Sequence, residues 1–157
     1  MSSKSRVRKH NSPAMSPLLR ALTQSRSTHE PVTAAMLLQC YAALDAFEHG
    51  HGSRDLHMSL SRHLLVSQEL ARLGLGEDLL DDIESGHAAM VQLDSREQIT
   101  GKWTLSDDEH ARLCTSLAIL DEQLSVASLS EIASAQARMI EGLMRSARTK
   151  AIAEAVL

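Results

Sequence analysis

Aromatic residues are almost missing from this 157-residue chain, which contains one Trp, one Tyr and one Phe. Aromatic and β-branched side chains favour strands, so their scarcity argues against an extended β-sheet. Leu, Ala and Met supply most of the apolar bulk instead, and all three favour helices. Apolar residues make up 43% of the chain, which is typical of a folded globular domain. The composition therefore predicts an all-α protein, a helical bundle.

Cysteine is also scarce, with only Cys40 and Cys114 in the chain. Both fall on apolar faces of predicted helices, so the sequence has no disulfide framework and a reducing compartment is expected. No apolar run reaches the length of about 20 residues that a membrane-spanning helix needs. The first residues are polar and basic, which predicts that no signal peptide is present. Together these features predict a cytoplasmic protein that does not enter a membrane.

The known catalytic sequence patterns are missing as well. The sequence contains no glycine-rich phosphate loop, no nucleophile elbow and no cysteine spacing typical of zinc sites. We therefore predict that the protein is not an enzyme, and the sequence indicates no catalytic residue and no cofactor.

The net charge of −4 conceals an uneven distribution. Residues 1–30 carry six Lys or Arg and one acid, whereas the rest carries ten bases and nineteen acids, which gives +5 and −9. This asymmetry predicts a flexible basic arm over residues 1–30, followed by a single helical domain over residues 31–157. The arm is either a solvated tail or a contact to nucleic-acid phosphates, because cations displace condensed counterions. The candidate nucleic-acid residues are Lys4, Arg6, Arg8 and Lys9.

Apolar periodicity predicts five helices, near residues 32–48, 54–73, 78–98, 107–125 and 129–149. In the first helix only Gln39 and Asp45 are polar between residues 34 and 47. A helix that is apolar almost all round is normally buried, so this helix is predicted to be the centre of the core. Gly86 interrupts the apolar seam of the third helix, which indicates either a close helix crossing or a kink.

Two capping boxes mark helix starts in the second half of the chain. Ser106 with Glu109, and Ser128 with Glu131, have the spacing in which the side chains cap each other's backbone amides. The apolar phase also jumps by two residues near Ser128. We therefore expect the fourth and fifth helices to form a hairpin, with one long kinked helix as the alternative.

Histidines and one tryptophan are the remaining candidates for a functional site. A metal-binding bundle could use some of His49, His51, His57, Glu84, His87 and His110, although ordinary hydrogen-bonded histidines have the same spacing. Trp103 lies on a short predicted linker. Its ring either closes one end of the core or serves as an anchor for a protein partner.

Three stretches carry a resemblance: residues 41–53 (YAALDAFEHGHGS), 101–105 (GKWTL) and 120–128 (LDEQLSVAS). They resemble small helical proteins of proteobacterial phages and integrative elements, which are mostly uncharacterised and some of which are labelled Fis-type regulators. The motifs are structural, so the resemblance assigns no functional residue.

Three functional hypotheses follow from these observations. The first is a non-enzymatic accessory protein of a phage or mobile element, which binds a protein partner, with a homo-oligomer as the simplest form of that binding. The second is a DNA-associated regulator that uses the basic arm together with Arg145, Arg148 and Lys150 near the end of the last helix. The third is the metal-binding bundle.

Overall fold

A computed structural model describes the backbone of residues 26–155 and the side chains of residues 30–150. The predicted all-α helical bundle is confirmed, because this part of the chain forms helices and contains no strand. The five helices are α1 (Arg26–Glu48), α2 (Arg54–Arg72), α3 (Leu80–Thr100), α4 (Asp107–Val126) and α5 (Leu129–Ala155), and a short 3-10 helix (Glu77–Leu79) precedes α3. The four candidate arm residues lie outside the described residues: Lys4, Arg6, Arg8 and Lys9.

The first helix starts earlier than expected. Its predicted start was residue 32, because proline is favoured in a first helical turn, but α1 begins at Arg26 and contains Pro31. Proline has no N–H, so this position cannot donate a hydrogen bond to the carbonyl one turn earlier. The hydroxyl of Thr33 donates a hydrogen bond to the carbonyl oxygen of Glu30, the residue before Pro31, at 3.0 Å.

The centre of the bundle is α2, which packs against each of the other four helices. Its apolar face includes Leu60, Leu64 and Leu70, which are fully buried. The prediction that α1 is central is therefore wrong. The outer face of α1 is open to solvent, since the side chains of Leu38 and Tyr41 are 71% and 44% exposed. Periodicity misplaced α1 because it counts alanine as apolar, although alanine has little side chain to bury and favours helices at any exposure.

Gly86 allows α3 and α4 to cross closely, so the close-crossing prediction holds and α3 continues through this position. A Cβ atom at residue 86 would lie 2.8 Å from the Cβ of Ser116, and nearer still to its hydroxyl oxygen. That oxygen lies 2.9 Å from the carbonyl oxygen of Asp82, so the crossing is also hydrogen-bonded.

Both predicted capping boxes are present. The backbone N–H of Glu109 donates to the hydroxyl of Ser106, and the N–H of Ser106 donates back to the carboxylate of Glu109. The same reciprocal pair joins Ser128 and Glu131, so α4 and α5 are separate helices. The expected α4–α5 hairpin is not formed, however, because α5 turns away from α4 and packs mainly on α2. Ile132 and Ala135 of α5 are buried in the same core cluster as Leu60 and Leu64 of α2.

A buried amide fixes the loop after α2 against α4. The side-chain N–H groups of Gln123 donate to the carbonyl oxygens of Ser67 and Leu75, at 3.1 and 2.8 Å. The hydroxyl of Ser67 in turn donates to Gln123 Oε1 at 2.6 Å. Since Ser67 and Gln123 are buried, breaking this network would leave unpaired polar atoms in the core.

None of the helices between residues 26 and 155 combines the length and the apolarity needed to cross a membrane.

Candidate interaction surfaces

The C-terminal half of α5 is exposed to solvent, although Ile140 and Leu143 still line shallow grooves beside α2. The first part of the helix is anchored by Ile132 and Ala135, which are buried in the core. Met139 is half-buried and lies in both grooves where α5 crosses α2. From residue 140 to residue 150 every side chain is exposed. At a rise of about 1.5 Å per residue, this exposed part extends for roughly 16 Å.

Three large apolar side chains lie on this exposed part of α5. Ile140, Leu143 and Met144 are 53%, 45% and 69% exposed. Because residues three and four positions apart share a helix face, the three side chains form one strip, which we call the α5 stripe. Exposed apolar groups that are contiguous, rather than scattered, are typical of binding surfaces.

Cations border the α5 stripe. Three arginines on this half of α5 are exposed: Arg138, Arg145 and Arg148. Met144 forms a shallow groove there together with Arg145 and Arg148. Glu141 also lines this groove and pairs with Arg145, whose Nη2 lies 3.0 Å from Glu141 Oε1. The structure thus brings together Arg145 and Arg148, two of the basic residues that the DNA hypothesis uses. Lys150, the third, is exposed on the same half of α5.

A second surface is formed where the loop after α2 meets the end of α4. A pocket of about 380 Å³ lies there between the loop residues 74–79 and the last turns of α4. Its apolar walls include Leu75, Leu79 and Ile119. Asp78 and Glu122 also line it. Further exposed acids lie in the 3-10 helix and the first turn of α3, close in sequence to the pocket residue Asp78: Glu77, Asp81 and Asp82. We call the pocket with these five acids the acidic corner.

Trp103, the predicted partner anchor, lies in the linker between α3 and α4 and is partly buried. Its ring centroid lies 5.2 Å from the ring of His57 and 6.1 Å from the ring of Phe47. A Cβ atom at Gly52 would lie 2.5 Å from the Cβ of Trp103, so the loop after α1 packs closely against this residue. These contacts are of the kind expected for a ring that closes one end of the core. Its role as a partner anchor stays a prediction.

The histidines of the metal hypothesis do not form one cluster. His49 Nδ1 lies 3.3 Å from Asp45 Oδ1, and these two side chains with Glu48 form an exposed group that could hold a metal ion. His110 Nε2 lies 3.5 Å from Glu48 Oε2 and brings a second imidazole to its edge. The hydrogen bond from His49 to the carbonyl of Asp45, together with the Asp45 carboxylate, raises the pKa of His49 above its ordinary value.

The other proposed metal ligands lie elsewhere or have other partners. His57 Nε2 is 3.0 Å from the carbonyl oxygen of Met90 and its ring contacts Trp103. Burial lowers the pKa of His87, so its imidazole favours the neutral form. His51 and Glu84 are not part of the group around His49. Metal binding stays a prediction with a smaller ligand set, which elemental analysis of untagged protein would test.

The sequence did not reveal one polar contact between α1 and α4. Cys114 Sγ lies 3.7 Å from His110 Nδ1, so a thiol, an imidazole and the Glu48 carboxylate follow one another across the α1–α4 boundary. The spacing of His110 and Cys114 by one helical turn was the available signal, but nothing in the sequence places α1 beside it.

With the fold and these surfaces described, comparison of the chain with protein-family models, curated proteins and solved structures finds no match.

Proposed function

We propose that this protein is a non-enzymatic accessory protein of a bacterial phage or mobile element and that it acts in the cytoplasm by binding other proteins through the α5 stripe. The observation that carries the proposal is the exposure of Ile140, Leu143 and Met144 together on the second half of α5, where no described residue buries them. The resemblance of three sequence stretches to phage and integrative-element proteins supports the biological setting.

An amphipathic helix with an exposed apolar face is a common form of protein ligand, because that face can enter a groove on a partner. Fully burying an exposed Leu, Ile or Met side chain contributes about 1.5–3 kcal/mol, and the stripe residues, which are 45–69% exposed, would each contribute part of that on binding. Methionine adds adaptability, since its unbranched side chain fits irregular surfaces. The exposed outer face of α1, with Leu38 and Tyr41, offers a further contact area for a large partner.

The test is affinity capture from a host lysate, performed with and without nuclease. We expect the wild-type chain to retain a protein after nuclease treatment and the double variant Leu143→Glu/Met144→Glu to lose it, because two charges in the stripe would have to be buried. The matched control is Ile99→Glu, since Ile99 on α3 is 85% exposed and lies outside the stripe. If the stripe variant captures the same proteins as the wild type, the stripe is not the binding surface.

A DNA-associated regulator is the second candidate, and three exposed cations on α5 favour it: Arg138, Arg145 and Arg148. In this proposal the basic arm makes the main phosphate contacts and the α5 cations add to them, so binding depends steeply on salt with little sequence preference. Deleting residues 1–28 should then abolish a mobility shift with duplex DNA at low salt while leaving protein capture intact. The candidate fails if the full-length chain gives no shift at low salt.

A further inference from the structure

We propose that the partner of the α5 stripe is a second copy of this chain, whose acidic corner receives the stripe. The proposal rests on the function proposed above, because it uses the same surface and names what binds there. Both surfaces belong to one molecule, and they match in size, polarity and charge.

The pocket of the acidic corner can take apolar side chains from a helix. Its volume is about 380 Å³, whereas a cavity of about 150 Å³ is enough to bind benzene. The apolar side chains of its walls include Ile119 and Val126, and Val126 is 51% exposed at the pocket. The pocket can therefore cover side chains such as Ile140 and Met144, which are 53% and 69% exposed in their own protomer.

Charge favours the acidic corner over a second α5 stripe as the receiving surface. The α5 stripe is bordered by Arg138, Arg145 and Arg148, and the pocket is lined by Asp78 and Glu122, with three more carboxylates close to Asp78 in sequence. Docking the stripe in this pocket brings opposite charges together around an apolar centre. Pairing two α5 stripes with each other would instead bring three arginines of each copy together with only Glu141 to offset them, which electrostatic complementarity disfavours.

The receiving pocket is also held in shape before anything binds. Its floor includes Gln123, whose amide is bonded to the carbonyl oxygens of Leu75 and Ser67. A surface that is already ordered loses little conformational entropy on association, so more of the contact energy appears as affinity. Because the two surfaces differ, the contact is heterologous, and it either closes by reciprocal exchange into a dimer or repeats along a chain of copies.

The experiment is sedimentation velocity on the purified full chain over a wide concentration range at low salt, after nuclease treatment. We expect species larger than a monomer whose abundance rises with concentration and falls with added salt. The variant Arg145→Glu/Arg148→Glu should weaken self-association by at least about tenfold, since reversing the two charges places carboxylates against carboxylates. Asp78→Lys/Glu122→Lys should weaken it to a similar extent.

The decisive arm combines all four substitutions in one chain, because the reversed charges again complement one another. We expect association to return to within about threefold of the wild type, a coupling that only paired surfaces give. The matched control is Arg54→Glu/Lys102→Glu, two exposed cations away from α5, which should change little. All the substituted residues are exposed, and far-UV circular dichroism checks that each variant keeps its helical content.

The proposal is overturned if the wild type stays monomeric at every concentration, or if the four-fold variant does not recover. A monomeric chain that still captures a host protein through Leu143 and Met144 would leave the proposed function standing and show that the occupant of the stripe is a different protein. A monomer whose α5 cations shift DNA would point to nucleic acid as the occupant. Self-association without any capture from lysate would support the second copy as the partner.

Discussion

Replacing Glu109 with alanine is expected to lower the free energy of unfolding by about 3 kcal/mol, an effect near the lower end of those measured when one partner of a buried ion pair is removed. The Glu109 side chain is only 2% exposed and its two oxygens accept hydrogen bonds from Arg96, at 2.5 and 2.7 Å. It also caps α4 by accepting from the N–H of Ser106 at 2.8 Å. One substitution therefore removes a helix cap and the α3–α4 ion pair together.

The estimate lies at the lower end because Arg96 would not be stranded completely. The guanidinium side chain is 32% exposed and keeps its hydrogen bond to the carbonyl oxygen of Thr104, at 2.7 Å. Water can therefore solvate part of the charge that the variant leaves unpaired. Chemical denaturation of the variant and the wild type at neutral pH measures the difference.

The same group gives a pH dependence of known sign. Hydrogen bonds from Arg96, and then from Ser106, hold the pKa of Glu109 below its ordinary value of 4.5. A carboxyl group whose pKa is lowered in the folded state contributes stability above the unfolded pKa and loses it as the pH falls through the folded pKa. The difference in unfolding free energy between the wild type and Glu109→Ala should therefore be constant near neutral pH and shrink below about pH 4.5.

Glu131 supplies a matched control, since it holds the same capping-box position at the start of α5. Hydrogen bonds from the backbone and hydroxyl of Ser128 lower the pKa of Glu131, but no ion pair joins it to another of the described residues. Glu131→Ala should therefore cost about 1 kcal/mol, the usual effect of losing a helix cap. Equal losses for the two variants would contradict the role that we assign to the Arg96 pair.

Replacing Gly86 with alanine is expected to destabilise the protein by about 2 kcal/mol, although alanine is the better helix former. The gain in helix propensity is about 1 kcal/mol. Against it stands the overlap with Ser116, whose Cβ would lie 2.8 Å from the new methyl group. Overpacking of this kind costs about 3 kcal/mol when a packed helix pair cannot move apart.

Gly142→Ala is the opposite case and serves as the control. Gly142 is also a helical glycine, but a Cβ atom there would meet nothing within 4 Å. Only the propensity term remains, so this variant should be stabilised by up to about 1 kcal/mol. Thermal unfolding of the two variants should thus move the melting temperature in opposite directions. A stabilised Gly86→Ala variant would mean that α3 and α4 cross less closely than in this structure.

Local signals were enough to predict the helices and most of their ends. Ser106 and Ser128 were identified as N-caps because a capping box is written within four residues of sequence and depends on nothing outside them. Gly86 was identified as a close-crossing candidate for a similar reason, since it replaces a large side chain in the apolar seam of α3.

Features that depend on which helices meet were not predicted correctly. The apolar residues of α1 indicated a central helix, but periodicity does not show how many neighbours a helix has, and α1 leaves Leu38 and Tyr41 exposed. The seam of α5 through Ile140 and Leu143 has the same regularity as the buried part of the helix. Only the structure shows that α2 covers the first half of this seam and leaves the second half open. The contact between Glu48 and His110 depends in the same way on tertiary packing.

The most direct measurement of the central claim, that the α5 stripe is a protein-binding surface, is site-specific photo-crosslinking in host cells. A photoreactive amino acid replaces Leu143 in one strain and Ile99 in another, and cross-linked products are detected with an antibody to the chain. Both positions are exposed, at 45% and 85%, so accessibility alone would favour Ile99. We expect a discrete cross-linked protein at residue 143, either a host protein or a second copy, and none at residue 99. Products at residue 99 with none at residue 143, or the same products at both, would contradict it.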